Sequence, residues 1–398
     1  MKHDQRFVWL DLVRGASAIA VCAGHLRAAT LYDYVELHTP TLFHKMFYFF
    51  TGLGHQAVMI FFVLSGFFVG GSILKSGARF KVVDYSIARL TRLWIVLIPA
   101  LIVTLVVDKV VAAHAPEVLR GAYYAVWHSG PESANSYSTS VITFLGNVFF
   151  LQTILTPVFG TNGPLWSLAN EFWYYATFPL LAIASGQCGG STRVLVRVAS
   201  GVTAVSLLLY LPAEIRSGYL VWLMGVVVYL VSNHLPRKQR PLAFLSTFGL
   251  FAGSLVYSKA VGWQAALNLQ SDFAVGLGFS TFCVVIATWP LPRSSSLGVA
   301  VGKLAGAVSE FSYSLYSCHF PFVVLIGVLG YRSTKVLPDQ EGLLYFFGWL
   351  GVLLSLGVLF WFLFERHTSF IRGLATGSLT RRSSRPTSPP PRSGEAGS

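Results

Sequence analysis

Apolar runs long enough to cross a bilayer recur from one end of the chain to the other. They lie near residues 8–30, 52–74, 93–113, 141–158, 164–185, 194–212, 217–233, 241–258, 273–290, 312–331 and 343–364. About 20 such residues, wound as a helix, match the hydrocarbon core of a membrane, so eleven segments are candidate spans. The fourth is the weakest, because it contains Asn147, Gln152 and Pro157 and runs into the Gly-rich stretch Phe159-Gly-Thr-Asn-Gly-Pro164. Lysine and arginine favour cytoplasmic loops and decide whether it spans. With Arg14 set aside as embedded, 28 basic residues remain; eleven spans leave 11 inside and 17 outside, whereas a re-entrant fourth segment leaves 20 inside and 8 outside. The sequence therefore predicts an all-α, polytopic transmembrane helical bundle of about ten spans plus one re-entrant or short segment. Both termini are expected in the cytoplasm, with inside loops at 75–92, 186–197, 234–240 and 291–303.

Composition agrees. Of 398 residues 54% are hydrophobic and 11% charged, with mean hydropathy +0.61, against roughly 25% charged in a soluble protein. The net charge of +13 would point to nucleic acid in a soluble chain; here it reflects basic residues held on the cytoplasmic side. Cys22, Cys188, Cys283 and Cys318 are scattered with no spacing that suggests a metal site or disulfide framework. The first run contains Asp11 and Arg14 and continues without a small-residue cleavage site, so it is expected to stay as a span. Two regions follow: a membrane domain over 1–372 and a basic, Pro/Ser-rich cytoplasmic tail over 373–398, expected to be disordered. No internal repeat of the inverted transporter kind is visible.

Polar residues inside such runs are the candidates for chemistry, since a charge there costs at least ~2.5 kcal/mol. Arg14 and His25 are eleven residues apart in the first run, which on a helix is three turns plus roughly 20°, one face, and about 16 Å along the axis. Arg14 could instead snorkel to the interface, but His25 lies too far along to share that exit. In the second run Ser65 stands beside Gly66, a pairing that lets a backbone or ligand approach closely. Arg89 and Arg92, at i and i+3, sit at the cytoplasmic mouth of the third run, and paired arginines suit a polyphosphate. Ordinary topogenic charge would explain them as well.

The run at 164–185 opens with Trp166, Ser167, Asn170 and Glu171. An aromatic platform with fixed polar groups suits a sugar, and the ten-span topology puts this cluster at the outer end. Near residue 312, Ser312, Tyr316 and His319 share a helix face, while Cys318 points about 100° from His319 and is rejected as a thiol nucleophile. Glu365-Arg366 closes the last run as a membrane-edge charge pair.

Singly these signals are weak; in this order they form a set. Arg14-x10-His25, Phe62-x-x-Ser65-Gly66-Phe67, Arg89-x-x-Arg92 with Pro99, Trp166-Ser-Leu-x-x-Glu171, Ser312-Tyr-Ser-Leu-Tyr316-x-x-His319 and Phe364-Glu365 resemble the membrane-bound acyltransferase-3 family over roughly residues 7–370. Asn170 and Phe172 depart from its common pattern of a valine and a second acid. The resemblance implies an enzyme of the bacterial inner membrane that moves an acyl group, often acetyl from acetyl-CoA, onto a hydroxyl. The acceptor would be a cell-envelope or secreted glycan, or a small molecule such as a macrolide. It implies catalytic roles for His25, Arg14, Glu171 and His319, donor binding by Arg89, Arg92 and Ser65, and acceptor binding by Trp166, Ser167, Asn170 and Tyr316. Acyl-CoA is then a co-substrate; no bound cofactor or metal is expected, and the partners are the glycan or lipid-linked sugar and membrane lipids, not nucleic acid.

Acyl transfer needs a base for the acceptor hydroxyl and stabilisation of the charged carbonyl oxygen. His25 is the best base, and Arg14 could orient the donor's phosphate or pantetheine end. A proton-coupled transporter using the embedded His, Arg and Glu as a relay is the rival reading.

Overall fold

The computed structural model describes residues 7–127, 130–190, 193–234, 240–261, 269–290, 295–331 and 334–383. Among these the chain is all-α. Its helices are α1 (Val8–Thr30), α2 (Leu42–Thr51), α3 (Gly54–Ser65), α4 (Gly71–Ser76), α5 (Val82–His114), α6 (Tyr124–Trp127), α7 (Val141–Val148) and α8 (Trp166–Ala184). They continue as α9 (Val194–Tyr210), α10 (Ala213–Val231), α11 (Arg240–Val261), α12 (Leu269–Ile286), α13 (Ser296–Glu310), α14 (Ser312–Ile326), α15 (Gln340–Leu363) and α16 (Thr368–Ser383). A π-helical turn, Gly66–Gly70, joins α3 to α4 without a break in the rod, and a second, Gly327–Tyr331, extends α14.

Each of the ten expected spans falls on one helix or one continuous rod. Seven are long and apolar enough to cross a membrane by length and composition. The other three fall short for reasons in their sequence: α1 carries Asp11, Arg14 and Arg27, α8 carries Asn170 and Glu171 among aromatics, and α9 has 17 residues. The segment at 141–158 does not cross. Only α7 is helical, at 8 residues about 12 Å long, and the chain then turns back through a loop.

That loop is tied down rather than loose. Asp108 of α5, 1% exposed, accepts from the Thr161 amide at 2.9 Å and the Thr161 hydroxyl at 2.6 Å. Gly160 adopts φ +59°, and a Cβ there would run into the Asp108 carboxylate. The Gly-rich stretch is therefore a buried docking loop whose backbone needs are met by a buried acid.

α1 packs against α3, α13 and α14 near the centre; α10 packs on α3 and its π turn. Gly66 and Gly225 bring α3 and α10 together: a Cβ on Gly66 would overlap the Trp222 carbonyl, and one on Gly225 the Val63 carbonyl. At the periphery, α9 buries only Ala204 and exposes Val194, Leu195 and Leu209, and α15 exposes Leu344, Phe347 and Leu359, an apolar outer face suited to lipid.

Three expectations need correction. The inside loop assigned to 75–92 is mostly the start of α5, so Arg89 and Arg92 stand on a helix of 33 residues. The inside loop assigned to 291–303 is largely α13, a helix packed along α1. Glu365 and Arg366 are not a charge pair. Glu365 turns inward to accept from the Ser314 amide at 3.1 Å and hydroxyl at 2.6 Å, while the Arg366 guanidinium stacks 3.5 Å from the Phe362 ring centre. A carboxylate on the first turn of α14 satisfies amides that have no partner within the helix. The boundary at 372/373 falls inside α16, and residues 384–398 of the expected tail lie outside the described residues.

Candidate active site

Five helices wall a cavity of about 300 Å³. α1 supplies Arg14, α3 Ser65, α5 Arg89 and Arg92, α8 Ser167, Glu171 and Tyr175, and α14 Ser312, Tyr313 and Tyr316; Phe61, Phe62 and Leu93 are among its apolar walls. Residues as far apart in the chain as Arg14 and Tyr316 thus meet, and most of the polar ones were singled out by the sequence. Four of the expected site residues do not line the cavity: His25, His319, Trp166 and Asn170. Trp166 stacks on His55, ring centres 6.4 Å apart, and Asn170 is buried against Tyr174.

Arg14 does not snorkel. It lies 3.3 Å from Asp11 and donates to the Ser309 hydroxyl, which itself donates to Asp11 at 3.0 Å. The guanidinium is thereby held against the cavity by one helical turn of its own helix and by the end of α13. Arg89 places its guanidinium 5.9 Å from the ring centres of both Tyr85 and Tyr175, within cation–π range. Its Nε has no hydrogen-bond partner among the described residues.

Glu171 was expected at the opposite face from the arginines; it shares their cavity. It enters on α8 one turn beyond Ser167, which carries it inward. Its carboxylate accepts from Ser65 Oγ at 2.8 Å and from the Tyr175 hydroxyl. Ser65 in turn accepts from Trp222 Nε1 at 3.0 Å, a reach made possible by the Gly66–Gly225 approach. Pro179 leaves the Tyr175 carbonyl without its helical donor, and the Tyr85 hydroxyl fills that place at 3.0 Å. Deeper, the Tyr316 hydroxyl meets Ser167 Oγ at 2.6 Å and donates to the Pro164 carbonyl at 3.0 Å.

One turn beyond Tyr316, His319 Nε2 lies 2.9 Å from His25 Nδ1, the rings parallel within 9°. The network fixes where the protons are. His319 Nδ1 is 2.9 Å from the Leu315 carbonyl and 3.0 Å from the Tyr316 carbonyl. Carbonyls only accept, so Nδ1 carries hydrogen, and in a neutral imidazole Nε2 is then an acceptor. The 2.9 Å bond must therefore be donated by His25 Nδ1, which leaves the lone pair of His25 on Nε2. The Phe320 ring packs edge-on to His25 at 4.8 Å. α14 is held in register at this level by Asn162, whose Nδ2 donates to the Ser317 carbonyl at 2.9 Å, the group that Pro321 cannot serve. Cys318 packs against Val96, Ala100 and Phe360, away from the pair.

Sequence reasoning missed Ser309, Tyr175, Trp222 and Asp108. Tyr175 was within reach as the i+4 neighbour of Glu171. Ser309 sits on a helix the hydropathy did not reveal, and Trp222 and Asp108 reach their partners only through tertiary packing.

The helical bundle thus holds a cavity lined by three arginines and a glutamate, with a hydrogen-bonded histidine pair one turn beyond Tyr316. Residues 7–368 match the family model described as an acyltransferase domain, and the chain belongs to that family, the membrane-bound acyltransferase-3 proteins. It is an acyltransferase for groups other than aminoacyl groups, which sets aside the transporter reading. No curated protein and no solved structure matches the chain.

Proposed function

We propose that the protein moves an acyl group, in the simplest case acetyl, from acyl-CoA to a hydroxyl of a cell-envelope or secreted glycan. The carrying observation is the layout along α1. Three arginines, Arg14, Arg89 and Arg92, converge on one cavity, and the free His25 nitrogen lies about 16 Å further along the same helix. A donor with phosphates at one end and a thioester at the end of a long flexible arm fits that separation. At ~300 Å³ the cavity is at the small end for a ligand pocket, enough for part of such a donor. Arg89 and Arg92 would hold its phosphates from the cytoplasmic side, an orientation supported by the 20-to-8 basic split and by the non-crossing α7 segment.

In the transfer, His25 Nε2 takes the proton of the acceptor hydroxyl as its oxygen attacks the thioester carbonyl. The carbon–sulfur bond breaks, and the departing thiolate takes the proton from the imidazolium. His319 is a positioning residue: it accepts from His25 Nδ1 and so keeps the lone pair facing outward. Glu171, anchored by Ser65 and Tyr175, shapes the arginine cavity.

Purified protein in detergent, given acetyl-CoA, should release free thiol, faster when a hydroxylated glycan acceptor is added. A protein that neither releases thiol nor binds CoA would overturn this reading.

A further inference from the structure

α1 has a second charged cavity at its other end, and nothing in the reaction above uses it. It is an open cavity of about 400 Å³, lined by Arg27, Asp33, Lys45, Tyr48, Lys259 and aromatic neighbours including Tyr34 and Phe49. Asp33, the acid in its lining, already lies 3.6 Å from Arg27 and 3.0 Å from Lys335, a lysine buried to 8% exposure. Lys259 donates to the Gly52 carbonyl at 2.8 Å, and neither Lys45 nor Lys259 is paired with an acid among the described residues. Three cations and one acid thus line the cavity, and Glu36 accepts from the Asp33 amide at 2.6 Å behind it.

Topogenic charge does not explain the cluster. Of the eight basic residues that the ten-span reading assigns to the outer side, three line this one cavity, Arg27, Lys45 and Lys259, and a fourth, Lys335, pairs with its acid Asp33. They come from α1, α2, the end of α11 and the segment before α15. Like charges drawn together from four places in the chain repel; an anion seated between them removes that repulsion.

We propose that this cavity is an anion subsite for a phosphate or carboxylate, and, resting on the acyltransferase reading above, that the acceptor carries that charge. The geometry also says where on the acceptor it lies. Arg27 follows His25 by two residues, which is ~3 Å along α1 but ~200° around it. The charge therefore sits on the order of 10 Å, a helix diameter, from the imidazole. It belongs to a part of the acceptor other than the ring that is acylated.

The test needs no acceptor and no turnover. The full-length protein in uncharged detergent is titrated with inorganic pyrophosphate and its thermal unfolding is followed. Arg89→Ala/Arg92→Ala should keep a pyrophosphate-dependent shift, whereas Lys45→Gln/Lys259→Gln in that background should weaken it about tenfold or more. Lys45→Gln singly, at an exposed position, serves if the combined variant does not fold. A shift that disappears with the two arginines and ignores the lysines overturns the subsite. Repeating the titration in nanodiscs separates the two sources of the anion. Pyrophosphate affinity that is equal in phosphatidylcholine and phosphatidylglycerol supports a charge on the acceptor, and displacement by phosphatidylglycerol assigns the cavity to a lipid headgroup and overturns the acceptor clause. Because thiol release is not measured, failure here leaves the acyltransferase reading standing, and failure of that reading leaves the binding result standing.

Discussion

The histidine pair and the arginine cavity, three turns apart on α1, are built in opposite ways. Around His25 almost everything is settled in advance: two backbone carbonyls fix the His319 proton, and that fixes the His25 proton. Arg14, Arg89 and Arg92 instead share the walls of one cavity with Glu171. Asp11 and Glu365 act from its margins. In the proposed reaction one end serves a proton and the other a ligand that brings negative charge. Replacing a residue of the first should therefore cost turnover, and replacing one of the second should cost affinity that added donor restores.

The sharpest contrast comes from His25→Ala. Turnover should fall ~10²–10⁴-fold, the usual cost of losing a general base, while CoA affinity measured by calorimetry stays close to wild type. More than half of wild-type turnover would show that the imidazole is structural. Next in size is His319. His319→Ala should lower kcat by roughly 10- to 100-fold, the range seen when a residue orienting a functional histidine is removed. His319→Gln, which can still accept from His25 Nδ1 through its amide oxygen, should recover part of it. Equal loss in both would show that His319 does not position His25 through this hydrogen bond.

Arg89→Ala and Arg92→Ala should each raise the apparent KM for acyl-CoA about tenfold, as expected for a lost charge-assisted contact. Saturating donor should restore the rate. Because Glu171 shares their cavity, Glu171→Gln should also move the donor KM; an effect confined to acceptor KM would re-establish the two-faced separation that the sequence implied. The smallest effect is expected from Trp222→Phe. It removes the 3.0 Å donor to Ser65 and should cost about 0.5–1.5 kcal/mol, seen as a lower unfolding temperature and a few-fold change in donor KM.

What could be read from the chain followed from local periodicity. The helical period aligned Arg14 with His25, and the same period put Ser312, Tyr316 and His319 on one face. Charge counting recognised that 141–158 does not cross, because a false span would have reversed every later loop. The misses have physical causes. Asp84, Arg89 and Arg92 lower the hydropathy of the first turns of α5, so a helix read as a loop. α13 is Gly- and Ala-rich with Lys303 in its midst, and it is recognised as part of the bundle only through its packing on α1. The His25–His319 bond joins residues 294 apart, and no local pattern carries that information. Glu171 was misplaced because a residue at the start of a helix was read as lying at the membrane edge, whereas α8 begins where the chain leaves a buried docking loop, with Asn162 and Ser167 themselves buried.

The two prolines in α8 and α14 have a consequence for how the molecule is made. Each leaves one carbonyl of its own helix without a donor, that of Tyr175 and that of Ser317, and the missing donor arrives on a different segment, from Tyr85 and Asn162. In lipid a lone carbonyl of this kind costs several kcal/mol. Neither helix is chemically complete as a freshly inserted rod. Each becomes so only when the segment that completes it has docked, and these are the helices that carry Glu171 and His319. Catalytic competence and escape from quality control should therefore be reached in the same step of biogenesis, and a chain stalled before docking would display its own defect to the membrane's proteases.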